Sequence, residues 1–565
     1  MSDTLDLTKD LLPRQLADAY LDALIELDPV TGTYLGVPES AGRLPDYSPA
    51  GLERIAGLQR AVLARLPHAE ALPGGDSDVE RRCARLLRER LAAQLAVHDA
   101  GETLRLMNNL FSPVQNVRNV FTLMPLETAE DWATVARRMR AVPAALEGYR
   151  AALAEGASRG LTAGPRQVTT VIGQLTEWLG DGARPDWFTA FTADGPEELR
   201  GALDAAAGEA AAAVGALRDW LAGEYAAAAA GTPDVAGRER YARWVRYWNG
   251  TDLDLEEAYA YGWAEYHRLL AEMWAEADKI LPGSSPWEAL KHLDTEGRAV
   301  EGVPEIRAWL QNLMDEAITA LDGTHFELAD RVKRVESMIA PDGSAAAPYY
   351  TPPSLDFSRP GRTWLPTLGQ TRFPVYDLVS TWYHEGVPGH HLQLAQWVHV
   401  AERLSRFQTT AGMVSANAEG WALYAERLMD ELGFLTDPEL RLGYLDCQMM
   451  RAVRVIIDIG MHLGLEIPAD SGFHAGERWT PELAQEFFGR HSGRPADFIE
   501  SELVRYLGMP GQAIGYKLGE RAWLAGREAA RAAHGEAFDA KRWHMAALSL
   551  GSLGLDDLRE ELAAL

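Results

Sequence analysis

The chain has 565 residues, 47% of them apolar, and a formal charge of −28 from 82 acidic and 54 basic side chains. That length is ample for a large buried core, and the acidity repels nucleic acid and anionic membranes. The two cysteines, Cys83 and Cys447, stand far apart with no pair motif, so free thiols in a reducing compartment are expected. The start, MSDTLDLTKDLLPRQL, is acidic and amphipathic, without the basic start and apolar run of a signal peptide. No window approaches a membrane-spanning apolar run. The expectation is a cytoplasmic protein with neither nucleic acid nor membrane as a partner.

Taken in chain order, most segments read as helix, because Ala, Leu, Arg and Glu dominate and apolar residues recur at three- and four-residue spacing. Residues 14–28 form the first such segment, ending before Pro29; 80–104, 129–157, 196–230 and 254–278 follow. The Ala-rich stretch 209–231 keeps its period and reads as a helix with a small-residue packing face. Breaks fall at 72–78, 181–187, 281–287 and, longest, 340–368. Within the last, Tyr349, Tyr350, Thr363, Trp364 and Leu365 are the strand candidates. The fold expected is mainly α with a small β element. Residues 1–280 would form an N-terminal helical region and 281–565 the region carrying the site.

That site begins at HEGVPGHHLQ, His384 to Gln393. The zinc-protease signature HExxH puts two histidines four residues apart on one helix face, with the Glu as base. Here Pro388 stands where the second histidine belongs, and His384 and His390 are separated by roughly 240° on a straight helix. Gly386, Pro388 and Gly389 make a straight helix a poor expectation; a local bulge that loops out two residues would bring His384 and His390 back together. His391, seven residues on, is the rival second ligand if the helix is regular. Four of the 14 histidines, His384, His390, His391 and His399, fall in this short stretch.

A third ligand is expected on the helical segment 415–432, where Glu419 sits in the first turn and Glu426 follows on the same face. Glu426 is the candidate to orient a ligand from behind. In 445–464, Arg451, Arg454, Asp458 and His462 share one helix face; an arginine there could anchor a substrate carboxylate, or Arg454, Asp458 and His462 could form an ion-pair ladder. The glycine-broken segment 500–520 presents Arg505, Tyr506, Tyr516 and Lys517. A tyrosine hydroxyl beside a developing oxyanion would stabilise it.

Four blocks in order, HEGVPGHHLQ, AEGWALYAE, RVIIDIGMHLG and PGQAIGYKLG, resemble the bacterial family called domain of unknown function 885. YYTPPSLDFSRPGRTW matches that family's lead-in to the motif. The resemblance spans most of the chain and is strongest from 349 to 520. It extends distantly to helical zinc peptidases such as thimet-type oligopeptidases, angiotensin-converting enzyme and thermostable carboxypeptidase, and implies two helical subdomains around a deep cleft with a small sheet beside the metal. Dipeptidyl peptidase III is similar in having an expanded motif. Carried over, the resemblance implies His384, His390 and Glu419 as zinc ligands, Glu385 as base and Tyr516 as the transition-state tyrosine. Many relatives carry a secretion or lipoprotein signal, a pattern the N-terminal stretch here does not show.

The combined reading is a zinc metallohydrolase that cleaves short peptides, in the manner of a dipeptidase or carboxypeptidase. Arg451, Arg505 and Lys517 would bind substrate, and the strand near 363–368 would pair with it. A zinc-dependent lyase or hydrolase of a specialised small amide is the second reading, and a non-catalytic helical binding protein the third. A second copy of the chain is a further partner to consider.

Overall fold

A computed structural model describes residues 10–74, 76–341 and 347–565. The first residues of the acidic N-terminal stretch, Gly75 in the 72–78 break and part of the 340–368 run therefore lie outside the described residues. The chain is mainly helical with two small sheets. It divides into two compact units: residues up to Glu239 with Ser501–Met509, and Arg240–Glu500 with Pro510–Leu565.

The first unit is helical throughout its described residues. Helix Arg200–Trp220 packs on Ala129–Met139 and Val142–Ser158. Its small-residue face is real: Ala206, Ala207 and Ala210 are fully buried, letting the helix backbones approach closely. The expected single helix 129–157 is two, because Pro143 near the start of the second has no N–H to continue the first.

The second unit holds every strand found among the described residues. β1 (Ala299–Glu301) pairs antiparallel with β5 (Arg372–Pro374). β2 (Val335–Ile339), β4 (Gly361–Leu365) and β3 (Tyr349–Thr351) form the other sheet in that spatial order, β2 parallel and β3 antiparallel to β4. β4 is thus paired on both sides. The expectation that the strand near 363–368 would pair with substrate is corrected here: β4 is the central strand with its backbone groups already used, and β2 and β3 are the outer strands.

Long helices carry the rest of this unit. Leu255–Ile280, placed with the N-terminal region by its sequence position, runs along Pro438–Leu463 and so belongs with the second unit. Ser415–Glu431 crosses Gly515–His534 at a glycine pair. A Cβ on Gly420 would lie 2.4 Å from Gly519, and one on Gly519 would lie 2.1 Å from the Ala416 carbonyl oxygen. Only hydrogen side chains allow this approach, which fixes the helix bearing Glu419 against the one beginning near Tyr516.

Candidate metal centre

The helix Leu378–Glu385 ends at the motif's Glu, and a new helix, His390–His399, starts at the second histidine. Gly386 to Gly389 link them in a tight fold. The Gly386 amide bonds the Trp382 carbonyl, the Gly389 amide reaches back to Tyr383 and the His391 amide to Gly386. A Cβ on Gly389 would lie 1.9 Å from the His384 carbonyl oxygen, so a glycine is required there. The Trp421 indole N–H donates to the carbonyls of both Pro388 and Gly389, at 3.0 and 2.9 Å, pinning the link to the Glu419 helix.

The break brings His384, His390 and Glu419 together. His384 Nε2 lies 3.3 Å from Glu419 Oε2 and His390 Nε2 lies 3.6 Å from the same oxygen. One donor atom from each residue lies within 4.8 Å of the other two. A tetrahedral set at zinc's usual bond lengths needs donors about 3.4 Å apart, so this donor set fits such an ion. It is the one such group among the described residues.

The tautomer of His384 follows from its other nitrogen. Nδ1–H donates to Glu426 Oε1 at 2.7 Å, so Nε2 is the nitrogen that faces Glu419: it donates to that carboxylate when the ring is protonated, and its lone pair would be the one offered to a cation. Glu426 is fully buried, and its second oxygen accepts from Ser380 Oγ at 2.7 Å. Burial pushes the Glu426 carboxyl up, but Arg451 and His384 outweigh it and hold the group ionised. Burial likewise opposes charge on His384, yet Glu419 and Glu426 raise its pKa to about 9. Burial also opposes the charge of Glu419, and the two histidines overcome it and pull the group down. Three carboxylates crowd two imidazoles, an arrangement that attracts a cation.

Glu385 is half-buried beside the cluster; desolvation raises its pKa against the pull of His390 and His384. His391 is turned elsewhere. Its Nε2–H donates to the Val332 carbonyl at 2.6 Å, so Nδ1 must accept from the Tyr350 hydroxyl at 2.9 Å. Both nitrogens are consumed, and burial lowers its pKa to about 4. The structure therefore groups His390, and not His391, with His384.

The other proposed residues divide. Tyr516 lies under Arg454, whose guanidinium is 5.1 Å from its ring centre, and it is near enough to Arg451 for its charge to act there. Arg451 faces Glu426. Lys517 is not a substrate ligand: it is 1% exposed, with Nζ 2.5 Å from Glu520, 2.7 Å from Gln448 and 3.1 Å from Glu265. Arg505 is also spent, paired at 2.6 Å with Glu502, which accepts from the Tyr506 hydroxyl too, and it belongs to the first unit. Asp458 accepts from the Tyr241 hydroxyl and the Gly511 amide and lies 3.7 Å from His462, so it serves more than a ladder along its own helix.

Sequence reasoning missed Ser380, Trp421 and Tyr350. Ser380 stands four residues before His384, a helical spacing that could have revealed it. Trp421 and Tyr350 act on groups brought close only by the fold. A cavity of about 110 Å³ lies in the first unit, walled by Tyr47, Leu52, Leu106, Phe111 and Tyr149 among others, and shares no residue with the cluster.

A helical chain whose broken motif gathers two imidazoles and a carboxylate defines a class of candidate metalloprotein. Residues 29–562 match the family described as "Bacterial protein of unknown function (DUF885)", and the chain belongs to it. No curated protein matches. Solved structures share the fold, among them two matched over nearly their whole length. One is described as a "putative lipoprotein" from Colwellia psychrerythraea, with TM-score 0.83, 20% identity and 98% of each chain covered. The other is a "putative lipoprotein of unknown function" from Shewanella oneidensis, with TM-score 0.74, 19% identity, covering 97% of this chain and 99% of that one. These descriptions overturn the cytoplasmic expectation, which rested on the absence of a signal-like pattern. No helix among the described residues is long and apolar enough to cross a membrane.

Proposed function

We propose that the protein is a zinc-dependent hydrolase of amide bonds in short peptides, with His384, His390 and Glu419 holding the ion. The observation that carries this reading is the convergence of two Nε2 atoms on one carboxylate oxygen at 3.3 and 3.6 Å. A zinc ion in that position supplies Lewis acidity toward the substrate carbonyl and acidifies water.

The chain's own residues do the remainder. Glu426 keeps His384 in the Nε2-ligating tautomer. Glu385, next in the chain to His384, takes a proton from the attacking water and passes it to the leaving amine nitrogen as the C–N bond breaks. Tyr516 offers its hydroxyl to the developing oxyanion. The sequence likeness to helical zinc peptidases supports a peptide as substrate. The descriptions of the two structural neighbours support a place at a membrane surface or outside the cytoplasm.

Metal analysis of the purified chain tests this. Expected are about one zinc per chain, its loss in His384→Ala, and retention in Glu385→Gln with peptide turnover down about 10²–10⁴-fold. Wild-type protein that takes up no zinc, or Glu385→Gln with normal turnover, would end the respective assignment.

A further inference from the structure

We infer that Arg451 is a positioning residue of the metal centre, acting through Glu426 to fix the His384 imidazole and thereby the affinity of the site for a divalent cation. The inference rests on the zinc reading above and departs from the substrate-anchoring role that the sequence suggests for this arginine.

Glu426 is the joint. It lies seven residues after Glu419 on the same helix, fully buried. Its Oε1 accepts the Nδ1–H of His384 at 2.7 Å and faces Arg451 Nη2 at 3.6 Å. Its Oε2 accepts from Ser380, one helical turn before His384. One carboxylate therefore ties together three helices: Leu378–Glu385, Ser415–Glu431 and Pro438–Leu463.

A buried carboxylate needs a compensating charge. A histidine that ligates a cation through Nε2 is neutral, so His384 does not supply that charge when the site is loaded. Arg451 does. Burial opposes its charge, and Glu426 outweighs the burial. The other ionisable groups around it are Cys447, whose backbone carbonyl it bonds, Tyr516 and, acted on by its charge, Asp446 and Glu385.

Its geometry leaves little for a substrate. An arginine that grips a carboxylate offers two parallel N–H groups. Here Nη1 donates to the Cys447 carbonyl at 2.9 Å, folding the side chain back on its own helix, and Nη2 faces Glu426. Nε is buried without a hydrogen-bond partner, so it forms no parallel pair with an Nη–H on a carboxylate.

The test is zinc affinity of the full chain, by competition with a chelator, in wild type, Arg451→Met, Arg451→Lys, Glu426→Gln and the Arg451→Met/Glu426→Gln pair. Arg451→Met is expected to lose about 10–100-fold in affinity, and Arg451→Lys to recover most of it. The pair is expected to lose no more than Glu426→Gln alone, since both changes break one relay. If Arg451→Met does not fold, Arg451→Gln removes the charge while keeping a polar stem, and carries the same expectation. Wild-type protein without zinc would overturn the metal reading and this inference together. Wild type with zinc, and Arg451→Met matching it, would overturn the role of Arg451 alone. A rise in KM restricted to peptides with a free C-terminal carboxylate, against C-terminally amidated ones and with zinc affinity unmoved, would return Arg451 to substrate binding.

Discussion

Segments 384–391 and 500–520 look alike as sequence: each is broken by glycines and a proline, and each carries cationic or ionisable side chains. Their fates differ. In the first, the backbone folds so that His384 and His390 aim their Nε2 atoms at Glu419. In the second, Lys517 is enclosed by Glu520, Glu265 and Gln448, and Arg505 is paired with Glu502. Gly519 there serves a helix crossing rather than a turn around a site. An ammonium or guanidinium inside a helical core finds a carboxylate, and the pair satisfies itself. Two imidazoles converging on one carboxylate present donor atoms that, on the zinc reading, a cation would gather.

The sharpest way to break this contrast is Lys517→Met. Removing Lys517 leaves the buried Glu520 with only Arg427, 3.9 Å away, while Glu265 keeps its pair with Arg268, so unfolding free energy should fall by about 3 kcal/mol. KM for a peptide substrate should not move. Denaturant unfolding measures the first and steady-state kinetics the second. A stable variant with raised KM would make Lys517 a substrate ligand after all.

Why one segment was legible and the other was not is a matter of where partners come from. The candidate ligand trio is nearly local: two histidines within one motif and a carboxylate near the start of the next strongly helical segment, residue types that metal chemistry singles out. Glu265, by contrast, lies on Leu255–Ile280, far from Lys517 in sequence, and nothing in the spacing of 500–520 announces it. The fold divides the same way. Periodicity placed 14–28 and 254–278 almost on the observed Pro13–Leu27 and Leu255–Ile280. It gave no sign of β2, a five-residue segment that is a strand because β4 lies beside it. The choice between His390 and His391 stayed open because it depends on how far the backbone bends between Gly386 and Gly389, which spacing alone does not fix.

That bend supplies a smaller effect. Gly389→Ala forces a methyl group onto the His384 carbonyl, 1.9 Å away, and should cost about 1–3 kcal/mol of stability while weakening zinc binding. Gly208→Ala is the matched control. It lies in the helix Arg200–Trp220 with open space where its Cβ would stand, and should instead gain about 0.4–1 kcal/mol. Equal effects from the two would mean that the link between the histidines has slack the contacts do not suggest.

The smallest expected change separates the two adjacent histidines. His391 bridges Tyr350 and Val332, so it holds β3 and the 332 turn against the helix that begins at His390. Glutamine in its place retains an N–H donor and an acceptor, and His391→Gln should cost about 1 kcal/mol, with zinc retained. His390→Gln removes a proposed ligand whose Nδ1 has no hydrogen-bond partner in the fold, so it should leave stability without metal nearly unchanged and abolish zinc uptake. Thermal unfolding of the metal-free variants, followed by zinc titration of each, reads both quantities. If His391→Gln lost zinc while its metal-free form unfolded like wild type, the ligand role would pass to His391. The motif would then act as a straight helix in solution, and the fold between Gly386 and Gly389 would no longer explain the site.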